Sequence, residues 1–234
     1  MIVAIDGPVG SGKSAVGRRV AEALDLRFVD SGLMYRAVGS LALERGVPLD
    51  DADEMGRLAG GSVVRIDGPR VTVDGVDYTG RVYGSELSAA ASRVAQVPGV
   101  RLAVVAQLRA MGRGGVVMAG RDIGTFVFPD ADHKVYLTAS TEERARRRAA
   151  QIAGRGERPD PERLRVEVEE RDRRDAGRSV APMRPAEDAI VLETDHMDLT
   201  AVVAAVLRHI GATSGEAQAW FERAGRRAGD RAGD

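Results

Sequence analysis

The chain has no cysteine, which removes disulfides, thiolate nucleophiles and thiolate metal sites and agrees with a reducing compartment. Long apolar runs are missing as well. None approaches the roughly 20 residues that a helix needs to cross a bilayer. The opening MIVAIDGPVG puts no basic segment ahead of its short apolar stretch, so it does not read as a secretion signal. Neither sign of charge is in excess: 34 basic and 35 acidic side chains leave a net charge of −1. No global basic field therefore points to nucleic acid or an anionic membrane, and any anion site must be local. A soluble cytoplasmic protein without nucleic-acid or membrane partners is the expectation. Lysine is nearly absent: Lys13 and Lys134 are the two, and arginine supplies every other basic side chain. A compact ammonium and a planar guanidinium grip phosphate differently, so the lysine at position 13 stands out.

What is present is enough apolar material, 44% of 234 residues, for one core with one or two small subdomains. Ile2-Val3-Ala4-Ile5 is a β-branched run that stops at glycine, as a buried parallel strand does. Val16, Val20 and Leu24 follow at four-residue spacing, the stripe of a helix packed on a sheet. A second strand at 27–30 leads into a helix over about 33–44. From 62 to 79 the texture changes to short β-rich pieces broken by glycine, which predicts small hairpins inserted in the α/β frame. Core-strand patterns return at 116–118, 134–137 and 189–192. Between the last two lies a charged stretch of two helices, 142–178, interrupted at 154–161. Residues 213–234, rich in glycine, alanine and charge, read as a weakly ordered tail.

Gly7-Pro8-Val9-Gly10-Ser11-Gly12-Lys13-Ser14 fits the phosphate-loop pattern and sits between a strand and a helix, where its mechanism requires it. Glycine-freed N–H groups and a helix N-terminus cradle phosphate oxygens. Lys13 would reach the β- and γ-phosphates and Ser14 would ligate Mg²⁺ carried with ATP. After the second strand, Ser31 and Arg36 in DSGLMYR could bind an acceptor phosphate; the plainer alternative is a helix cap and a solvent-facing arginine. Arg171, Asp175 and Arg178, spaced i, i+4 and i+7, share one helical face, as do Arg144, Arg147 and Arg148.

Four segments in order, DSGLMYR, AGRDIGTFVFPDAD, YLTASTEERARRR and ERDRRDAGRSVAP, resemble the successive signatures of bacterial cytidylate kinases. With the phosphate loop, the resemblance runs from about residue 2 to about 211. It implies an α/β fold of the P-loop NTPase type, a parallel sheet flanked by helices, with an inserted NMP-binding subdomain and a helical lid. The core would comprise 1–36, 98–143 and 182–212, the insert 37–97 and the lid 144–181. The implied activity is transfer of the γ-phosphoryl of MgATP to CMP or dCMP by a monomer. Carried over by position, Ser31, Arg36, Ser92, Arg101, Arg121, Arg171, Asp175 and Arg178 would hold the acceptor, with Ser92 at the cytosine edge and Arg36, Arg101, Arg121 and Arg178 toward its phosphate. Asp175 and Arg171 would engage the ribose, and Arg147 and Arg148 would serve ATP. Lys13, Arg121, Arg171 and Arg178 form the catalytic set. Asp122 would partner magnesium or an arginine.

Ala119 departs from the family pattern, which more often has an acidic residue there to read cytosine. Losing such a buried partner is worth about 1–3 kcal/mol, so weakened discrimination against UMP is expected. Tyr83 stands where a basic residue was expected. A kinase for UMP or another small acceptor such as shikimate, or a nucleotide-binding regulatory module without turnover, are the alternatives. None of His133, His196 and His209 is placed for general-base or metal work.

Overall fold

The computed structural model describes residues 1–154, 156 and 158–211; the tail read at 213–234 lies outside them. β1 (Ile2–Asp6), α1 (Lys13–Ala23), β2 (Phe28–Asp30) and α2 (Gly32–Glu44) open the chain. α3 (Ala52–Gly60), β3 (Val64–Asp67), β4 (Arg70–Val73), β5 (Val76–Asp77), α4 (Ser85–Val94) and α5 (Pro98–Met111) follow. β6 (Val116–Gly120), β7 (His133–Thr138), α6 (Thr141–Ala153), α7 (Pro161–Ala176), β8 (Ile190–Glu193) and α8 (Leu199–Ile210) complete it.

Five strands form a parallel sheet in the order β2-β6-β1-β7-β8. Alternation along the strands sends side chains to two faces. Val3, Ile5, Val117, Val135 and Leu137 join Val16 and Val20 of α1 and Val203 and Val206 of α8 in one apolar cluster. Ala4, Val116 and Met118 join α2, α3 and α5 in the other. Because every strand runs the same way, Asp6, Asp30, Gly120 and Thr138 all end at one edge of the sheet, where open α/β sheets place ligands.

The expected hairpins are a three-stranded antiparallel sheet, β3-β4-β5. Its β4–β5 turn is Asp74-Gly75, both at positive φ, the pairing that a two-residue type I′ hairpin turn requires. Two of the expected boundaries need correction. The cut at 36/37 falls inside α2 and the cut at 143/144 inside α6, because each helix is one continuous hydrogen-bonded unit. Met55, Val64, Val71 and Tyr78 of the insert also belong to the same buried cluster as Val104 and Met118, so the insert shares the core. Arg178 lies beyond the end of α7 at Ala176, so its expected helical register ends one residue before the Gly177 cap. Among the described residues no helix is long and apolar enough to cross a membrane.

Candidate active site

The loop between β1 and α1 is built by steric necessity. Gly7 has φ 146°, and a Cβ there would lie 2.0 Å from Leu137 O in β7. Gly12 precedes α1 in the left-handed conformation, and no side chain caps the helix, so the N–H groups of Lys13 and Ser14 at its start are placed for an anion. Lys13 is buried and its Nζ donates to Pro8 O at 2.6 Å and to Ser11 Oγ at 3.3 Å. Burial above all, then the neighbouring Arg121, lowers its pKa well below the ordinary lysine value. The Ser14 hydroxyl donates to Asp30 Oδ2 at 2.6 Å, so two oxygen ligands meet where β2 ends.

Asp6, the last residue of β1, was missed by the sequence reading. Its carboxylate accepts from Ile123 N at 2.8 Å and Gly124 N at 2.7 Å, pinning the peptide that follows Arg121 and Asp122 to the start of the phosphate loop. Burial raises its pKa to about 7, against the lowering pull of those two amides. An acid closing an otherwise apolar strand was the available signal.

Most of the residues expected to hold the acceptor come together on the other flank. Ser31 donates through both N (2.9 Å) and Oγ (2.8 Å) to Ala119 O, tying β2 to β6 instead of capping α2. Asp175 is buried between two arginines: Arg121 Nε donates to Oδ2 at 2.9 Å, and Arg178 donates to Oδ1. Burial pushes the Asp175 pKa up, but Arg121, Arg178 and Arg171 together bring it below the carboxylate norm. Arg171 meets a neutral partner, Ser88 Oγ in α4, at 2.9 Å. Its pKa falls to about 9, through burial first and then the repulsion of Arg121. Among the described residues, Ser92 Oγ, Asp172 Oδ1 and the Nε atoms of Arg101, Arg171 and Arg178 are buried without a hydrogen-bond partner. A surplus of desolvated guanidinium and orphaned polar atoms is unfavourable unless an anionic, hydrogen-bonding molecule completes it.

Two adjoining cavities share Ser92 and Arg171. The larger, about 400 Å³, runs from Val9 of the phosphate loop past Arg148 to α4 and α7. The smaller, about 40 Å³, is walled by Ser31, Tyr35, Arg121, Asp122, Asp175 and Arg178. Arg101 lines neither. It is fully buried, paired with Asp122 and stacked at 5.6 Å on the Tyr35 ring, so its charge is directed at a carboxylate inside the wall. Ala119 is likewise in the sheet and outside both cavity walls, while Asp122 is in one. Arg36 donates to Val82 O at 3.3 Å and draws the insert toward α2. Tyr83 lies apart, beside Phe28 and the Asp67–Pro69 turn.

The two arginines expected to serve ATP diverge. Arg147 binds Glu143 at 2.7 Å and Thr194 through Oγ1 (3.0 Å) and O (2.6 Å). Its Nη1 lies 4.0 Å from where a Cβ on Gly12 would be. Arg148 faces the 400 Å³ cavity. Arg144, grouped with them by spacing, is 5% exposed and bonded to Val9 O, Ala139 O and Asp172, so it belongs to the frame. A third cavity, about 540 Å³, opens beyond β7 and β8 among Ser140, Asp195, His196 and Met197.

The chain matches the family model described as cytidylate kinase over residues 3–212. It is 44% identical over 216 residues to a cytidylate kinase of Pelotomaculum thermopropionicum, covering 90% of this chain and 96% of that one. It is 46% identical over 215 residues to a bifunctional pantoate ligase/cytidylate kinase of a Synechococcus strain, covering 88% of this chain. The chain spans about two fifths of the length of that protein and of a second such bifunctional relative. Among solved structures, an uncharacterized protein from Eubacterium ventriosum superposes with a TM-score of 0.51 over 91% of this chain and 99% of that one. At 11% identity this is a likeness of fold alone.

Proposed function

The chain belongs to the cytidylate kinase family, and from that premise we infer that it transfers the γ-phosphoryl of ATP to CMP or dCMP, giving ADP and CDP or dCDP. The observation that carries the reading is the cluster of three guanidiniums, Arg178 buried and Arg121 and Arg171 partly so, in which Arg121 and Arg178 share the buried Asp175 carboxylate and Arg171 lies beside them in the same cavity wall.

ATP lies with its phosphates in the 7–14 loop. Lys13 leaves Pro8 O for a β- or γ-oxygen, and the first-turn N–H groups of α1 take the others. Ser14 and Asp30 offer adjacent hard oxygen ligands, which suits Mg²⁺. Bound there, Mg²⁺ would neutralise charge on the phosphates. Arg147 and Arg148 flank the donor phosphates, and the 540 Å³ cavity takes the adenosine end.

CMP enters the adjoining cavities base first. The orphaned Ser92 hydroxyl and the Asp122 carboxylate, backed by Arg101, face the cytosine edge. A carboxylate there accepts from the exocyclic amine of cytosine and repels the carbonyl of uracil, which lets the site favour CMP without an acid at 119. Arg171 and Asp175 meet the ribose, and Arg36, Arg121 and Arg178 the phosphate. A loose transition state needs positioning and positive charge more than proton transfer, and these residues supply both. Closing α6 and α7 over the pair keeps out water, the competing acceptor. We take the working form to be a cytoplasmic monomer that uses no nucleic acid, in line with the near-neutral net charge.

The test is coupled ADP release from MgATP with CMP, dCMP, UMP, AMP and shikimate supplied singly. Turnover with CMP and dCMP well above UMP is expected. UMP equal to CMP would move the specificity elsewhere, and silence with every acceptor would overturn the kinase reading.

A further inference from the structure

Arg144 joins three parts of the molecule that phosphoryl transfer needs in register. From the first turn of α6 its Nε donates to Ala139 O at 3.0 Å and its Nη2 to Thr141 Oγ1 at 3.2 Å, which fixes the plane of the guanidinium. The remaining nitrogen, Nη1, donates both to Val9 O in the phosphate loop, at 3.2 Å, and to Asp172 Oδ2 in α7, at 2.5 Å. The backbone of Arg144 also rests on the loop, since a Cβ on Gly10 would come within 2.9 Å of Arg144 O. The ion pair has side-chain exposures of only 6% and 22%, so salt screens it little. Among the described residues Asp172 Oδ1 is buried without a partner, and the bond from Arg144 is the polar tie that this carboxylate makes there. On α7, Asp172 directly follows Arg171 and stands one turn before Asp175.

We propose that Asp172 is a positioning residue: acting through Arg144, it makes the placement of Arg171 and Asp175 depend on what fills the phosphate loop. The inference rests on the kinase reading above. Lys13 Nζ donates to Pro8 O, the carbonyl next to Val9 O. To serve a phosphate oxygen it must leave that carbonyl, and loop N–H groups must turn to the same ligand. The Pro8, Val9 and Gly10 peptides then reset. Val9 O shares one nitrogen of a rigid, planar fork with Asp172, so the reset reaches α7 as a change in where its carboxylate is held. Donor binding thereby prepares the acceptor side.

A plain staple between α6 and α7 would hold the helices together without conveying anything, and the experiment separates the two. The chain has no cysteine, so Arg19→Cys on α1 and Glu162→Cys on α7, both exposed, accept a pair of distance labels without background. The inter-label distance is measured with and without a non-hydrolysable ATP analogue and Mg²⁺, no acceptor present. The analogue is expected to shift the distance in the parent, and Asp172→Asn to abolish the shift while binding the analogue within about threefold of the parent affinity. In the unlabelled enzyme, Asp172→Asn should raise the KM for CMP about tenfold and leave the KM for ATP within about twofold. Arg144→Lys should give the same pattern, and the double variant should be no worse than either single one. An unchanged distance shift in Asp172→Asn, additive single effects, or a lowered melting temperature with an unmoved ratio of the two KM values would each overturn the proposal. Failure of the kinase reading is seen separately, as a parent chain silent with CMP, and leaves the distance measurement to decide the coupling.

Discussion

Lys13 is one of two lysines in a chain whose other basic side chains are all arginine, and it is buried against the phosphate-loop pattern of residues 7–14. Lys13→Ala should lower kcat by about 10²–10³-fold, the scale on which a preorganised charge at the transferring group acts, as coupled ADP release would register. Arg101 is a different kind of cation. Removing it strands Asp122 as a buried charge without its partner, so Arg101→Ala should cost about 3–5 kcal/mol of stability, read from the urea midpoint. Asp6 gives a pH signature. Its folded pKa, about 7, lies above the ordinary carboxylate value of 3.8, so the native state holds a proton that the unfolded chain has released. Its contribution to stability is complete below pH 3.8 and is lost as pH rises toward about 7. The stability difference between the parent and Asp6→Asn should therefore shrink over that window, in urea titrations at stepped pH. The sequence displayed the types of these residues and little of their company: Lys13 was legible because its neighbours in the chain define its site, whereas Arg101 meets its carboxylate 21 residues away.

Elements were read well where one local pattern dominates. α1, α2, α6 and α7 carry helical periodicity or dense charge, and β1 and β6 are apolar runs over Ile2–Ile5 and Val116–Ala119. α8 ends the core and its start depends on Asp198, whose side chain accepts from Ala201 N at 2.7 Å. Asp198→Ala should lower stability by about 1 kcal/mol, measured by chemical denaturation, with turnover unchanged. The segment after Arg121 was not legible. Ile123–Val127 winds as a short π-helix, with Val127 N donating to Asp122 O and Phe128 N to Ile123 O. Its apolar, β-branched residues carry no helical period, and what bends it is Asp6, over a hundred residues earlier, taking two of its amides.

Over the whole molecule the insert and the sheet share one apolar cluster. Amides of β4 and of β6 should therefore open with nearly equal free energies in native-state hydrogen exchange, and a β4 that exchanges far earlier would contradict a shared core. The sequence by itself determined the strand, glycine loop and helix at the start, the parallel strands, the two charged helices and the family resemblance. Each of these follows from apolar period, glycine freedom or linked motifs, which are properties of neighbours in the chain. The tertiary structure alone decided that Asp122 and not residue 119 lines the smaller cavity, and that Arg144 packs into the frame while Arg148 faces the larger one. It also decided that one carboxylate, Asp175, holds two arginines. Arginine is long and makes its bonds wherever folding delivers an oxygen, as with Arg144 and Val9, 135 positions apart. Partner choice among so many guanidiniums is thus a property of the packed chain, fixed when burial leaves each of them the few acceptors within reach.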